Sequence, residues 1–157
     1  MIDSEKNKKL QRIFNSCVEQ LNSIEYYPDV PRICFNTKIT RIYGGYYEDD
    51  RHIEISYKMF CTNTEDAIYE VVMHELAHNL DHILNSQCSE DLDGHGDSWQ
   101  KIANDINQKL GTHINRYSEA ESCYVLLENV KHNYVVKCNR CGVYFGITSK
   151  FSSYDKV

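Results

Sequence analysis

An H-E-x-x-H pattern runs from His74 to His78. An α-helix turns 100° per residue, so His78 lies about 40° around the axis from His74 and roughly one turn along it. Both imidazoles can therefore reach one metal ion. Glu75 lies ~100° from His74, beside the ion, where a general base for bound water belongs. The pattern predicts a metal site on a helix whose other side packs on a core.

We predict that this helix spans residues 65–84. Thr62 and Glu65 have the spacing of a capping box, which places the helix start there. The apolar residues lie roughly 120° to 240° around the wheel from His74, so one side of the helix can pack while the histidines face a cleft. These residues are Ile68, Val72, Leu76, Leu80 and Ile83.

A third metal ligand must come from outside this pattern, because a catalytic zinc takes three protein ligands and leaves the fourth position to water. His82 follows His78 by four residues, but it lies about 12 Å along the axis from His74. Metal–nitrogen bonds are ~2 Å long, so one ion cannot bind all three. The metzincin pattern also fails, since Asp81 and Leu84 occupy its remaining positions.

His95 is the best candidate for the third ligand. The glycines on either side free its backbone, and Asp97 with Gln100 has capping-box spacing at the start of the next predicted helix. A ligand in this loop would complete the set of three protein ligands. Four acidic residues are reserve ligands: Glu90, Asp91, Asp93 and Glu119.

The remaining segments predict an α+β fold. Apolar periodicity indicates an N-terminal helix over 4–25 and a further helix over about 98–110, which Gly111 ends. Alternating and β-branched residues predict a small antiparallel sheet, with strands at 32–36, 39–47 and 52–57. Gly44-Gly45 within a strand indicates a bulge or a close backbone approach. Short β-like runs return after Cys123, at 124–127, 134–137 and 143–148.

Taken together, H-E-L-A-H at 74–78 and G-H-G-x-x-W at 94–99 resemble the SprT-like metallopeptidases, which include the Spartan proteases. The resemblance extends to the strands around 42–46 and 53–56 and to a C-terminal Cys pair. It implies a zincin-like peptidase domain, which we place at residues 1–130, and a smaller β appendage at 131–157. It also implies zinc held by His74, His78 and His95, with Glu75 as catalytic base.

The same resemblance implies a protein substrate and, for the Spartan branch, cleavage of proteins attached to DNA. Zinc lowers the pKa of its bound water toward 7 and polarises a peptide carbonyl. Glu75 takes the water proton and can pass it to the leaving amine. Candidate oxyanion stabilisers, which the sequence does not rank, are Tyr117, His113 and Tyr46.

Two other interpretations stay open. The chain could be a non-enzymatic DNA-binding or adaptor module whose histidine cluster is structural, and a fourth protein ligand would favour that. It could also be a different small peptidase of the gluzincin type, with Glu90 or Glu119 as the third ligand. Retention of zinc and activity after His95→Ala would favour the second alternative.

Cys138 and Cys141 form a C-x-x-C followed by Gly142, which resembles one knuckle of a zinc ribbon. A structural zinc needs four ligands, and neither Cys nor His follows Cys141. The second Cys pair that SprT-like proteins commonly carry is absent. The chain could be cut short, the ribbon could fold without metal, or other residues could complete the site. The four-ligand rule favours the absence of a second, structural zinc. The residues that could complete it are Cys88, His113, Cys123 and His132.

Charge is uneven along the chain. The net charge is -6, but residues 131–157 carry +4 and residues 1–130 carry -10. The acidic total excludes a uniformly basic DNA binder. Cations interleaved with aromatic residues, as in the tail, are typical of single-stranded nucleic-acid binding. The tail could therefore contact single-stranded or damaged DNA, or be a β-hairpin with a solvated face. The candidate contacts are Lys137, Arg140, Tyr144 and Lys150.

The seven cysteines are not expected to form a disulfide framework, because the rest of the sequence indicates a reducing compartment. The N-terminus has no apolar signal region, and no apolar run approaches the ~18 residues of a membrane span. We therefore expect a cytoplasmic protein, or a nuclear one in a eukaryote, with no membrane partner. Outside the knuckle, Cys17, Cys34 and Cys61 are predicted to be small buried apolar residues.

Overall fold

The computed structural model describes residues 3–39, 42–85 and 95–115, and the backbone of 134–137 and 144–147. The chain divides into two compact units, Met1–Arg116 and Tyr117–Val157. The predicted α+β class is confirmed. The described residues form helices and strands in this order: α1 (Ser4–Ser23), β1 (Arg32–Asn36), β2 (Gly44–Tyr47), β3 (His52–Ser56), α2 (Tyr57–Thr62), α3 (Glu65–Asn85), α4 (Asp97–Leu110), β4 (Tyr134–Lys137) and β5 (Tyr144–Ile147).

The first unit contains a three-stranded sheet with strand order β1-β3-β2. β2 runs antiparallel to β3, but β1 runs parallel to it, with Ile33 opposite Ile53. The prediction of an antiparallel sheet is therefore wrong, and the sheet is mixed. The reason is that the chain leaves β1, forms β2 at the far edge, and returns as the central strand β3. A parallel pair needs such a crossover connection.

A short helix, α2, was not predicted and replaces the end of the third predicted strand. The Ser56 hydroxyl accepts a hydrogen bond from the Met59 amide at 3.3 Å and so caps this helix. An N-cap serine of this kind stabilises a helix start. The helix buries Met59 and Phe60.

The core of the first unit lies between α1, α3, α4 and one face of the sheet. β3 contributes Ile53 and Ile55, both 0% exposed. The predicted packing face of α3 is confirmed at four positions, but Ile83 is 41% exposed. It lies in the last turn of α3, next to the still more exposed Leu84, where the described residues supply no apolar cover. The buried apolar residues of α1 are Leu10, Ile13, Phe14, Cys17 and Leu21.

The predicted helix caps differ from the observed ones by a few residues. The Thr64 hydroxyl, not that of Thr62, accepts the amide of Ala67 at the start of α3. At α4 the N-cap is Gly96, with no side-chain cap, and Asp97 is the first helical residue. Gly111 ends α4 in the left-handed conformation (φ 69°), as predicted.

The three described cysteines differ in exposure. Cys17 is buried, as predicted, and Cys34 is half-buried. Cys61 is exposed, so that prediction is wrong, because α2 turns Met59 and Phe60 inward instead. Among the described residues, no helix has the length and apolar character that crossing a membrane requires.

Within the second unit, β4 and β5 pair antiparallel, with Lys137 opposite Tyr144. Several predicted site residues lie outside the described residues. They are Cys88, Glu90, Asp91, Asp93, Tyr117, Glu119, Cys123, His132, Cys138, Arg140, Cys141 and Lys150. The predicted domain boundary at residue 130 also lies outside them and stays a prediction.

Candidate metal centre

Three histidine side chains converge on one point in the first unit. The Nε2 atoms of His74 and His78 lie 3.2 Å apart, and each lies 3.0–3.1 Å from Nε2 of His95. Helix α3 supplies the first two residues, and the third lies two residues before the start of α4. Tetrahedral coordination with bonds of ~2.0 Å places ligand nitrogens about 3.3 Å apart. The three nitrogens therefore fit a single metal ion with little adjustment.

A buried tryptophan lies against all three imidazoles. The ring centroid of Trp99 is 4.9 Å from that of His74, 5.3 Å from that of His78 and 4.6 Å from that of His95. Trp99 is 1% exposed and sits in the first turn of α4. The same turn fixes the backbone of the third histidine, because Gln100 Nε2 donates to the His95 carbonyl at 3.0 Å.

The ring orientation of His74 is set by a backbone carbonyl. Its Nδ1–H donates to the Asn115 carbonyl at 3.0 Å, which leaves Nε2 as the unprotonated nitrogen. Burial and the nearby His95 lower the pKa of His74 to about 4. The imidazole is therefore neutral at physiological pH, and neutral imidazole is the form that binds metals.

The segment that carries this carbonyl is held from two helices. The Asn107 side chain on α4 accepts from the Thr112 hydroxyl and the Ile114 amide, and it donates to the Ile114 carbonyl, each at 2.8 Å. The Glu70 carboxylate on α3 accepts the backbone amide of His113. Residues 111–115 are thus fixed to α3, which carries His74 and His78, and to α4, which follows His95.

Glu75 is buried beside this cluster, with only 6% of its surface exposed. Burial raises the pKa of its carboxyl to about 8, against the opposing effect of a hydrogen bond from the Tyr46 amide. A Cβ on Gly44 would lie 3.0 Å from Glu75 Oε1, which is tighter than nine in ten real Cβ contacts. The close backbone approach predicted at the Gly44-Gly45 pair is therefore confirmed at Gly44, and strand β2 cradles the carboxylate.

Asn79, one residue beyond the H-E-x-x-H pattern, ties α3 to two other segments. It is fully buried and bonds both the amide and the carbonyl of Asp29. Its Nδ2 also donates to the Tyr46 hydroxyl at 3.1 Å. Tyr46, a candidate oxyanion stabiliser, thus has its hydroxyl engaged with Asn79 and its amide engaged with Glu75.

Two other histidines lie away from the cluster. His82 Nδ1 lies 3.6 Å from a carboxylate oxygen of Glu48, and His82 does not join the metal-ligand group. The sequence likewise predicted that His82 lies too far from His74 to share an ion with it. His113, another oxyanion candidate, is exposed.

Sequence reasoning missed Asn79, Asn107 and the Asn115 carbonyl. Each acts through a partner that the chain brings close only on folding, and an isolated Asn carries no periodic signal that would reveal it. The glycine pair in β2 was the one local signal of the carboxylate cradle.

The sequence comparison agrees with this arrangement. A model of the SprT-like family matches residues 8–123, a span that contains all three histidines and Glu75. No curated protein matches the chain.

Proposed function

Because the chain belongs to the SprT-like family, we propose that it is a zinc-dependent endopeptidase. The observation that carries the proposal is the convergence of three imidazole Nε2 atoms beside one buried carboxylate. Three nitrogen ligands with one position left open are typical of catalytic zinc. His74, His78 and His95 would hold the ion.

Zinc at this position would polarise the scissile carbonyl and make a water molecule acidic near neutral pH. Glu75 has the role of general base. A cation held by the three histidines would lower the pKa of its carboxyl from about 8 and so favour the carboxylate. The carboxylate would then accept the proton of the attacking water and deliver it to the leaving amine. The Tyr46 amide orients the carboxylate for this transfer. Gly44 leaves the space that the carboxylate occupies.

The sheet supports a peptide as the substrate. β2 is an edge strand of the described sheet, paired with β3 on one side only. The amide of Tyr46 bonds Glu75, so the unpaired edge of β2 faces the general base. An extended peptide can add to such an edge through main-chain hydrogen bonds. Added there, it would bring its carbonyl groups alongside the site.

Exchange of Gly44 for Ala tests the cradle. The new Cβ would contact Glu75 Oε1 at 3.0 Å and the Glu54 carbonyl at 3.2 Å, so the carboxylate must move. The neighbours must give by only a few tenths of an ångström. Since a misplacement of about 1 Å can cost about 10²-fold in rate, we expect a loss of roughly 3–10-fold in kcat/KM for a peptide substrate. Gly45→Ala is the matched control, because its Cβ would meet only the Tyr47 ring, at an ordinary 3.5 Å. Equal activity of the two variants would contradict the assigned role of Gly44.

We further propose that the substrates include proteins attached to DNA and that the tail at 131–157 contacts single strands. Support comes from the tail charge of +4 and from the register of the second unit, where Lys137 lies opposite Tyr144. A cationic residue paired in register with an aromatic residue suits a nucleotide, which offers a phosphate and a base.

A triple exchange, Lys137→Ala with Arg140→Ala and Lys150→Ala, is expected to weaken binding of single-stranded DNA. Each lost phosphate contact should reduce the slope of log K against log salt by about 0.7. The control removes three exposed cations of the first unit, Lys38, Lys58 and Lys101. Titration of a fluorescent oligonucleotide at several salt concentrations measures both. Identical slopes for the two triple variants would show that the tail makes no specific contribution.

A further inference from the structure

A second cluster of metal-ligating side chains lies on the outer face of the sheet. His52 and Glu54 alternate along β3 with Ile53 and Ile55, whose side chains point into the core. Cys34 on β1 lies directly opposite Glu54 in the parallel register. All three side chains therefore share the face that the core does not use.

The ligand atoms of this cluster are close enough to share one ion. The Cys34 thiol, a His52 ring nitrogen and a Glu54 carboxylate oxygen all lie within 4.8 Å of one another. His52 Nε2 is 3.5 Å from Glu54 Oε1. Tetrahedral bonds of 2.0–2.3 Å place ligand atoms about 3.3–3.8 Å apart. A small contraction of the cluster would complete the geometry.

Neighbouring side chains orient both the His52 imidazole and the Glu54 carboxylate. The Asp50 carboxylate accepts from His52 Nδ1, which leaves Nε2 as the metal-binding nitrogen. Asn36 Nδ2 donates to Glu54 Oε2 at 2.6 Å, so Oε1 is the oxygen that faces the cluster. The Tyr47 ring stacks on His52 with centroids 4.8 Å apart, and Tyr47 also hydrogen-bonds Glu54. Such outer partners are typical of built metal sites.

We propose that Cys34 Sγ, His52 Nε2 and Glu54 Oε1 bind a divalent transition-metal ion of the Zn²⁺ class. A thiolate and an imidazole select against Mg²⁺ and Ca²⁺, which take oxygen ligands. Three protein ligands leave one coordination position for water. The ion would join β1 to β3. β3 also pairs with β2, the strand that lies against the Glu75 carboxylate. The competing arrangement is a His52 ring held by hydrogen bonds between the carboxylates of Asp50 and Glu54, with no metal.

Alkylation of the full-length chain tests the site at the level of a single residue. Metal-free protein is treated with iodoacetamide with and without Zn²⁺, and modification is followed by peptide mass spectrometry. Only the metal-free fraction of Cys34 should react, so its rate should fall about 100-fold when free Zn²⁺ is 100 times Kd. Cys61 is exposed and outside the cluster, and its rate should not change.

Variants separate this site from the histidine centre. Protection of Cys34 should vanish in His52→Ala and in Glu54→Gln, and it should require about 10–100-fold more Zn²⁺ in Asp50→Asn. It should persist in His78→Ala. Melting curves of the metal-free variants establish that each is folded. Equal Cys34 rates with and without Zn²⁺ in the wild type, or protection lost only in His78→Ala, would overturn the proposal.

Discussion

Glu75→Gln is expected to lower the kcat of peptide cleavage by about 10²–10⁴-fold, the usual contribution of a general base. Glutamine keeps the shape of the side chain and can still accept the Tyr46 amide, but it cannot take a proton from water. Glu75 is not among the proposed metal ligands, so the variant should bind metal as the wild type does. Hydrolysis of casein or a labelled peptide, with metal content measured on the same samples, checks both parts.

Glu48→Gln is the matched control for this exchange, because the Glu48 side chain is 66% exposed and lies near His82 instead of the cluster. Its activity should equal that of the wild type. Normal turnover by Glu75→Gln would remove the carboxylate from the mechanism and favour a structural role for the histidines.

His95→Ala is expected to abolish cleavage and to weaken zinc binding by more than the 10–100-fold that is typical of outer-shell changes. The reason is that only two of the three converging nitrogens remain. Gln100→Ala releases the His95 carbonyl but keeps the imidazole. We expect this variant to bind zinc about 10–100-fold more weakly than the wild type, and no worse. Competition with a fluorescent zinc chelator measures this series.

His82→Ala is the control, since it removes a histidine from the same helix without touching the cluster. Its zinc affinity should be that of the wild type. Zinc binding and activity that survive in His95→Ala would point instead to a glutamate ligand and to the gluzincin-type interpretation, with Glu90 and Glu119 as the first residues to exchange.

Local patterns in the sequence predicted the parts of the site that depend on local geometry. The positions of His74, Glu75 and His78 follow from helical periodicity, and the loop glycines beside His95 identified the third histidine of the cluster. The end of α4 at Gly111 was equally local, since a left-handed residue there favours glycine. Structural elements that a few neighbouring residues specify could therefore be predicted from the sequence.

The remainder depends on pairings distant in sequence. The parallel pairing of β1 with β3 joins residues about 20 positions apart, and alternation within a strand is the same for parallel and antiparallel neighbours. The role of Asn79 requires Asp29, 50 residues earlier. Helix α2 was missed because its six residues are too few to show a helical period.

Trp99 is an intrinsic fluorescence probe of the histidine cluster. It is the one tryptophan in the sequence, and its ring lies 4.6–5.3 Å from all three imidazoles of the cluster. All indole fluorescence of the protein therefore originates beside the three histidines. Emission would therefore report the proposed binding of zinc in the unlabelled, unmutated chain, on the time scale of mixing.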